Sequence, residues 1–162
     1  MATAYSEEIV YTNTQDGLVL EGVVIRPTAA SSRTVAVVWV HGLTGKFYAP
    51  TEMLIGRDLA TDGYTVVSGN NRGHDFGARM RRVGDQPILA GGGWERFEDS
   101  PHDVDAWITF AGTLGFARVV VIGHSLGALK AAHYQALRQD ARVAGLVAAS
   151  AALPAARPDP KT

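Results

Sequence analysis

RVVVIGHSLGALKAAHYQALRQ, residues 118–139, passes from a β-branched run into a segment of helical composition through five residues that hold two glycines and a serine. Arg118–Ile122 has the length and composition of a buried strand, and Leu126–Gln139 reads as a helix. Gly123-His124-Ser125-Leu126-Gly127 between them matches G-x-S-x-G. A strand–turn–helix context turns that pattern from a chance pentapeptide into a sharp bend with the serine at its tip. Side chains at the flanking positions would collide in so tight a turn, which accounts for glycine at 123 and 127. Ser125 then sits at a helix N-terminus, where the helix dipole favours developing negative charge.

Upstream, Glu8–Asn13 and Leu18–Arg26 are rich in β-formers and flank Asp16-Gly17, a hairpin signal. Thr34–Val40 (TVAVVWV) is an almost unbroken apolar run that suits a strand covered on both faces, and Tyr64–Ser68 is a second. A helix is predicted from about Thr51 to Gly63. Residues 76–99, with Gly91-Gly92-Gly93, read as irregular. Ser100-Pro101 opens a further helix with Ser100 as the expected N-cap, and Val104, Trp107, Ile108, Ala111 and Leu114 line one face. Val143–Ala148 reads as a fourth buried strand, and 154–162, with three prolines, as a disordered tail after a single domain over 1–153. This alternation predicts an α/β fold: a mostly parallel sheet with helices on both faces and right-handed crossovers.

His41-Gly42-Leu43 closes the strand TVAVVWV. The backbone N–H groups of Leu43 and Leu126 are the expected oxyanion donors, and losing one such donor typically slows acyl transfer ~100- to 1000-fold. The His41 side chain is read as packed and hydrogen-bonded, shaping the loop. Arg72, His74 and Asp75 are read as tying the adjacent loop, with a general base at His74 as the alternative. Glu95, Glu98, Asp99 and Asp103 are read as solvated or capping carboxylates, because no His–carboxylate spacing supports a metal. Phe47, Tyr48 and Trp94 either line an acyl pocket or belong to the core or rim.

The blocks HGLTGKFY (41–48), NNRGHDFG (70–77), GGGWERFED (91–99), DVDAWI (103–108) and GHSLGALK (123–130), in this order, resemble the α/β-hydrolase superfamily. They are most similar to an esterase- or lipase-like subgroup of unestablished substrate. The resemblance covers residues 18–150 or so and implies an eight-stranded, mostly parallel sheet and a Ser–acid–His triad that hydrolyses esters or related acyl compounds. Ser125 falls at the nucleophile, with Gly123, His124, Gly127, His41 and Gly42 as structural residues around it.

In that fold the triad runs Ser, then acid, then His. After Ser125 the only acids are Asp140 and Asp159 and the only histidine is His133, eight residues along the same helix. A rise of ~1.5 Å per residue puts His133 about 12 Å down the axis, out of reach, where it is expected to pack near Tyr134. No triad acid or histidine is therefore identified in the chain. The expectation is an N-terminal portion of the fold that lacks the last strands and the cap, with Val143–Ala148 as an apolar edge open to self-association. Two alternatives follow: a non-catalytic binding relic, and an acyltransferase on the same scaffold.

Composition narrows the classes. Fifteen basic against sixteen acidic residues give a net charge of −1, which offers nothing to nucleic acid. There is no cysteine, so a thiol nucleophile, a disulfide scaffold and a cysteine-ligated zinc are excluded. No apolar run approaches the ~18 residues of a membrane span. The expectations are a small-molecule acyl substrate, no cofactor, no metal and a cytoplasmic location.

Overall fold

The computed structural model describes residues 4–151. Strands β1 (Tyr5–Asn13) and β2 (Val19–Pro27) form the antiparallel hairpin around Asp16-Gly17. The Thr14 hydroxyl donates to Asp16 Oδ1 at 2.6 Å and accepts the Leu18 N–H at 2.8 Å, while Gly17 takes φ +90°, so the turn closes on its own side chains. There follow β3 (Val35–Val40), α1 (Pro50–Thr61), β4 (Val66–Gly69), β5 (Ala78–Arg82), β6 (Asp85–Ala90), α2 (Ser100–Thr113), β7 (Arg118–His124), α3 (Leu126–Arg138) and β8 (Val143–Ala149). The main sheet has the order β1-β2-β4-β3-β7-β8, and β4, β3, β7 and β8 run parallel.

Alternation along the strands separates two cores. Val24, Val38 and Val67 face α2 and α3 and pack with Trp107, Ile108, Ala131 and Tyr134. Val23, Ile25, Val37 and Val66 face the other way, toward Ala60 and Met53 of α1. Burying residues on both sides explains the unbroken apolar runs of β3 and β4. Trp107 is the key of the larger core. Its indole fills a slot left by two glycines on adjacent strands, with a Cβ at Gly22 only 2.6 Å from its ring, and its Nε1 donates to the Asn70 carbonyl at 3.0 Å.

Four sequence expectations need correction. Residues 76–99 are not irregular throughout, because β5 and β6 form a two-stranded antiparallel sheet of their own. Its strands carry few β-branched residues and are mostly exposed, so periodicity gave no signal. Ser100 is the first residue of α2, not its cap. A 3₁₀ turn over Phe97–Asp99 leads into the helix, the cap position falls to Asp99, and the Ser100 hydroxyl is buried without a partner. Val143–Ala149 is a strand but not a buried one; as the edge expectation had it, it pairs only with β7 among the described residues, and Leu146 and Val147 are exposed. An apolar run signals readiness for burial, and burial itself needs a neighbour on each side. The fourth correction concerns Asp103 and Glu95 and belongs to the site below. The expected tail at 154–162 lies outside the described residues.

Candidate active site

At the end of β7 the chain turns into α3 through a single strained residue. Ser125 has φ 53° and ψ −121°, a backbone conformation that non-glycine residues rarely adopt. Two hydrogen bonds hold it: its N–H donates to the Ala149 carbonyl at 2.9 Å, and its carbonyl accepts the Ala128 N–H at 3.0 Å. The flanking glycines are required by space. A Cβ at Gly127 would strike the Val40 carbonyl and come within 2.5 Å of the His41 carbonyl, and one at Gly123 would lie 2.6 Å from Ala128 Cα. The turn that carries Ser125 is thus pressed against the exit of β3.

That exit is the segment 41–45. A Cβ at Gly42 would sit 3.0 Å from Ser125 Cβ and 3.5 Å from its Oγ, so the loop passes directly beside the hydroxyl. Leu43 follows, with its side chain exposed. Among the described residues, neither the Leu43 N–H nor the Leu126 N–H donates to a protein acceptor.

His41 fastens this loop from beneath. It is fully buried, its Nε2 accepts the Asn71 N–H at 2.8 Å, and its Nδ1 lies 2.8 Å from the Gly42 carbonyl. The accepting role of Nε2 leaves Nδ1 as the protonated nitrogen, so the ring is neutral and both nitrogens are committed. Burial, above all, pushes its pKa down to about 3. The Asn71 side chain adds a bond to the His41 carbonyl at 3.2 Å. His124 stacks on Trp39, with ring centroids 6.4 Å apart. His74 bonds to Asp75 Oδ2 at 2.9 Å, bridges to Thr44 and lines a cleft of about 70 Å³ with Val19, Glu21, Asn70 and Arg79–Arg81, a cleft that Ser125 does not line. Lys46 meets the other Asp75 oxygen at 2.7 Å and, as the main cause, holds that carboxyl below the usual range. His133 lies on Phe97 at 5.0 Å rather than against Tyr134, whose hydroxyl goes to Asp105 and Asp140. No histidine among the described residues is hydrogen-bonded to Ser125.

The charged residues beneath the site were the ones sequence reasoning misjudged. Asp103 is neither a solvated nor a capping carboxylate. It is fully buried and takes the Arg72 backbone N–H at 2.8 Å and the guanidinium at 2.9 Å. Arg72 also reaches Asp16 in the β1–β2 turn at 3.0 Å. Burial opposes its charge, yet Asp103 and Asp16 outweigh that and raise its pKa further. Glu95 meets Lys130 of α3 at 2.5 Å, with the Lys130 side chain wholly inaccessible. The sequence did hold a signal for Lys130: it falls on the stripe Gly127, Lys130, Ala131, Tyr134, which is the buried face of α3. No group of three or more metal-binding side chains occurs among the described residues. No helix there is long and apolar enough to cross a membrane.

A family model for the alpha/beta hydrolase fold matches residues 35–161. The chain belongs to that family. Among solved structures, this alpha/beta hydrolase superposes on a hypothetical protein, PA2218, from Pseudomonas aeruginosa with a TM-score of 0.71 at 16% identity, covering 93% of this chain and 44% of the other. The Pyrococcus furiosus esterase Pf2001 gives 0.68 at 23% identity, with 92% and 53% covered. A cold-adapted esterase from an Arctic intertidal metagenomic library gives 0.68 at 21% identity, with 91% and 62% covered. At these identities the likeness is one of fold. The chain spans about half the length of the solved structures it matches. No curated protein matches it.

Proposed function

We propose that this alpha/beta hydrolase cleaves carboxylic esters or related acyl compounds with Ser125 as nucleophile. The observation that carries the reading is the strained backbone of Ser125 at the β7–α3 bend, with the Gly42 loop laid beside its hydroxyl. Strain of this kind costs about 1–3 kcal/mol and persists where the surroundings enforce it, most often at functional sites. Two left-handed neighbours, Thr44 and Asp75, border the same region.

In the proposed reaction Ser125 Oγ attacks the acyl carbon as its proton passes to a base. The carbonyl oxygen becomes an oxyanion, and the N–H groups of Leu43 and Leu126 receive it. Collapse expels the alcohol, which takes up a proton, and leaves an acyl-serine that water then hydrolyses to the acid. His41 does not serve as the base, since both its nitrogens are engaged, and His74 faces another cleft. No base or acid partner is assigned among the described residues. Without them, oxyanion stabilisation and binding alone sustain roughly 10³–10⁴-fold over water.

A fluorophosphonate reagent tests the reading. With no base assigned, slow labelling of the folded protein at Ser125, selective over its other serines and lost in Ser125→Ala, is expected. A folded sample that stays unlabelled, or labelling that survives Ser125→Ala, would favour a non-catalytic relic. Product analysis with an added alcohol separates hydrolysis from acyl transfer to that alcohol.

A further inference from the structure

We propose that Leu43, Phe76 and Trp94 form an apolar shelf that takes the substrate's hydrocarbon chain, so that the preferred substrates are esters with a long uncharged chain. The proposal rests on the reading of Ser125 as nucleophile and specifies its substrate class.

The three side chains are large, apolar and exposed, at 57%, 71% and 50%. They come from three separate loops and flank the same pair of glycines, Gly92 and Gly93. Phe76 and Trp94 meet edge to face with centroids 5.6 Å apart. Glycines floor the space between them: a Cβ at Gly92 would lie 3.1 Å from Leu43 Cδ1 and 2.7 Å from Thr44 Cγ2, and one at Gly93 would lie 3.4 Å from Phe76 Cζ. Backbone bonds lace this floor together, from Gly91 N–H to the Arg72 carbonyl at 2.8 Å, Gly92 to Asp75 at 2.9 Å and Gly93 to Phe76 at 3.0 Å. The neighbouring Glu95 is anchored inward by Lys130. A shelf so fixed is pre-organised and loses little entropy when it is covered.

Position and charge name the occupant. Leu43 follows Gly42, the residue beside Ser125 Oγ, so the shelf starts next to the reacting carbonyl and leads away from it. Two of the flanking charges nearest the shelf are neutralised in pairs, Lys46 by Asp75 and Lys130 by Glu95, which favours an alkyl chain over a charged one. Clustered exposed apolar groups of this kind mark binding sites rather than ordinary surface.

The test uses alkyl fluorophosphonates with ethyl, octyl and dodecyl chains, on the wild type and on Trp94→Ser and Phe76→Ser. Both positions are exposed, and a thermal melt checks each fold. Labelling of Ser125 should accelerate about fourfold per methylene until the shelf is covered. The advantage of the octyl over the ethyl reagent should fall at least tenfold in either variant, with Trp94→Tyr restoring most of the loss. Ser125 labelling with no dependence on chain length overturns the shelf and leaves the nucleophile standing. Binding of methyl decanoate against methyl butyrate to Ser125→Ala protein reads the shelf without chemistry. Equal binding overturns it, and tighter decanoate binding lost in Trp94→Ser supports it even where no reagent labels Ser125. Dimerisation that Trp94→Ser abolishes, with no chain-length effect, would assign the patch to a second copy instead.

Discussion

The bend at 123–127, which carries Ser125, and the excursion at 76–99, which packs on the Leu43–Thr44 loop, are held in opposite ways. The bend is enforced by main-chain crowding: glycines stand where any Cβ would meet the backbone of β3 or α3, and the serine between them accepts a strained conformation. The excursion has few buried apolar side chains beyond Met80 and Ala90, and it is fastened by charges drawn from elsewhere, Glu95 to Lys130 and its root residue Arg72 to Asp103 and Asp16. Steric enforcement is local and is written in a short motif. Ionic enforcement works at long range in sequence and depends on burial, since a charge pair gains its strength only where water is excluded.

Substitutions can break each side of this contrast. The largest effect is expected at Lys130. Lys130→Met leaves Glu95 buried and unpaired and should cost about 3–5 kcal/mol in urea unfolding, whereas Lys130→Met with Glu95→Leu should recover most of it. A double variant as unstable as the single one would show that the pair does not act as a unit. Crowding the bend comes next. Gly127→Ala should cost about 3 kcal/mol and abolish fluorophosphonate labelling, because the new methyl group can only be housed by moving α3 off β3.

Acid acts on the loop between the two regions. The folded pKa of His41 is depressed to about 3 against an unfolded value near 6.5, so the unfolded chain binds the extra proton between those values. Stability from this residue is complete above pH 6.5 and declines as pH falls toward 3, by up to about 1.4 kcal/mol per pH unit. In His41→Gln that slope should flatten, which denaturation at pH 7, 6 and 5 would reveal. The smallest effect is a gain. Ser125→Gly releases the strain at φ 53° and, after the added freedom of glycine in the unfolded chain, should raise stability by about 1 kcal/mol while labelling disappears. A loss of stability would mean that the bend is not strained.

Legibility in the sequence followed the same division. The hairpin at Asp16-Gly17, the strands around Val35–Val40 and Arg118–His124 and the turn at Ser125 could be read because each is specified by neighbours in the chain: turn chemistry, β-branched runs, glycines at fixed offsets. The β5–β6 pair and the burial of Asp103 and Glu95 could not. Charged residues such as Glu95 and Asp99 look alike in a sequence, and only the partner across space separates the inaccessible one from the solvated one. Trp107 falls between the two cases. Its place on the apolar face of α2 was readable, but the slot formed by Gly22 and Gly69 was not.

The sequence by itself determined the parallel α/β core, the hairpin and the position of a serine on a strand-to-helix bend, because these follow from side-chain periodicity and from backbone sterics within a few residues. The tertiary structure alone decided which partners hold the His41 ring neutral, that Lys130 and Glu95 join beneath the site, and that Phe76 and Trp94 meet edge to face. Each of these depends on which distant segments come into contact and how much water they exclude, quantities that local pattern does not encode.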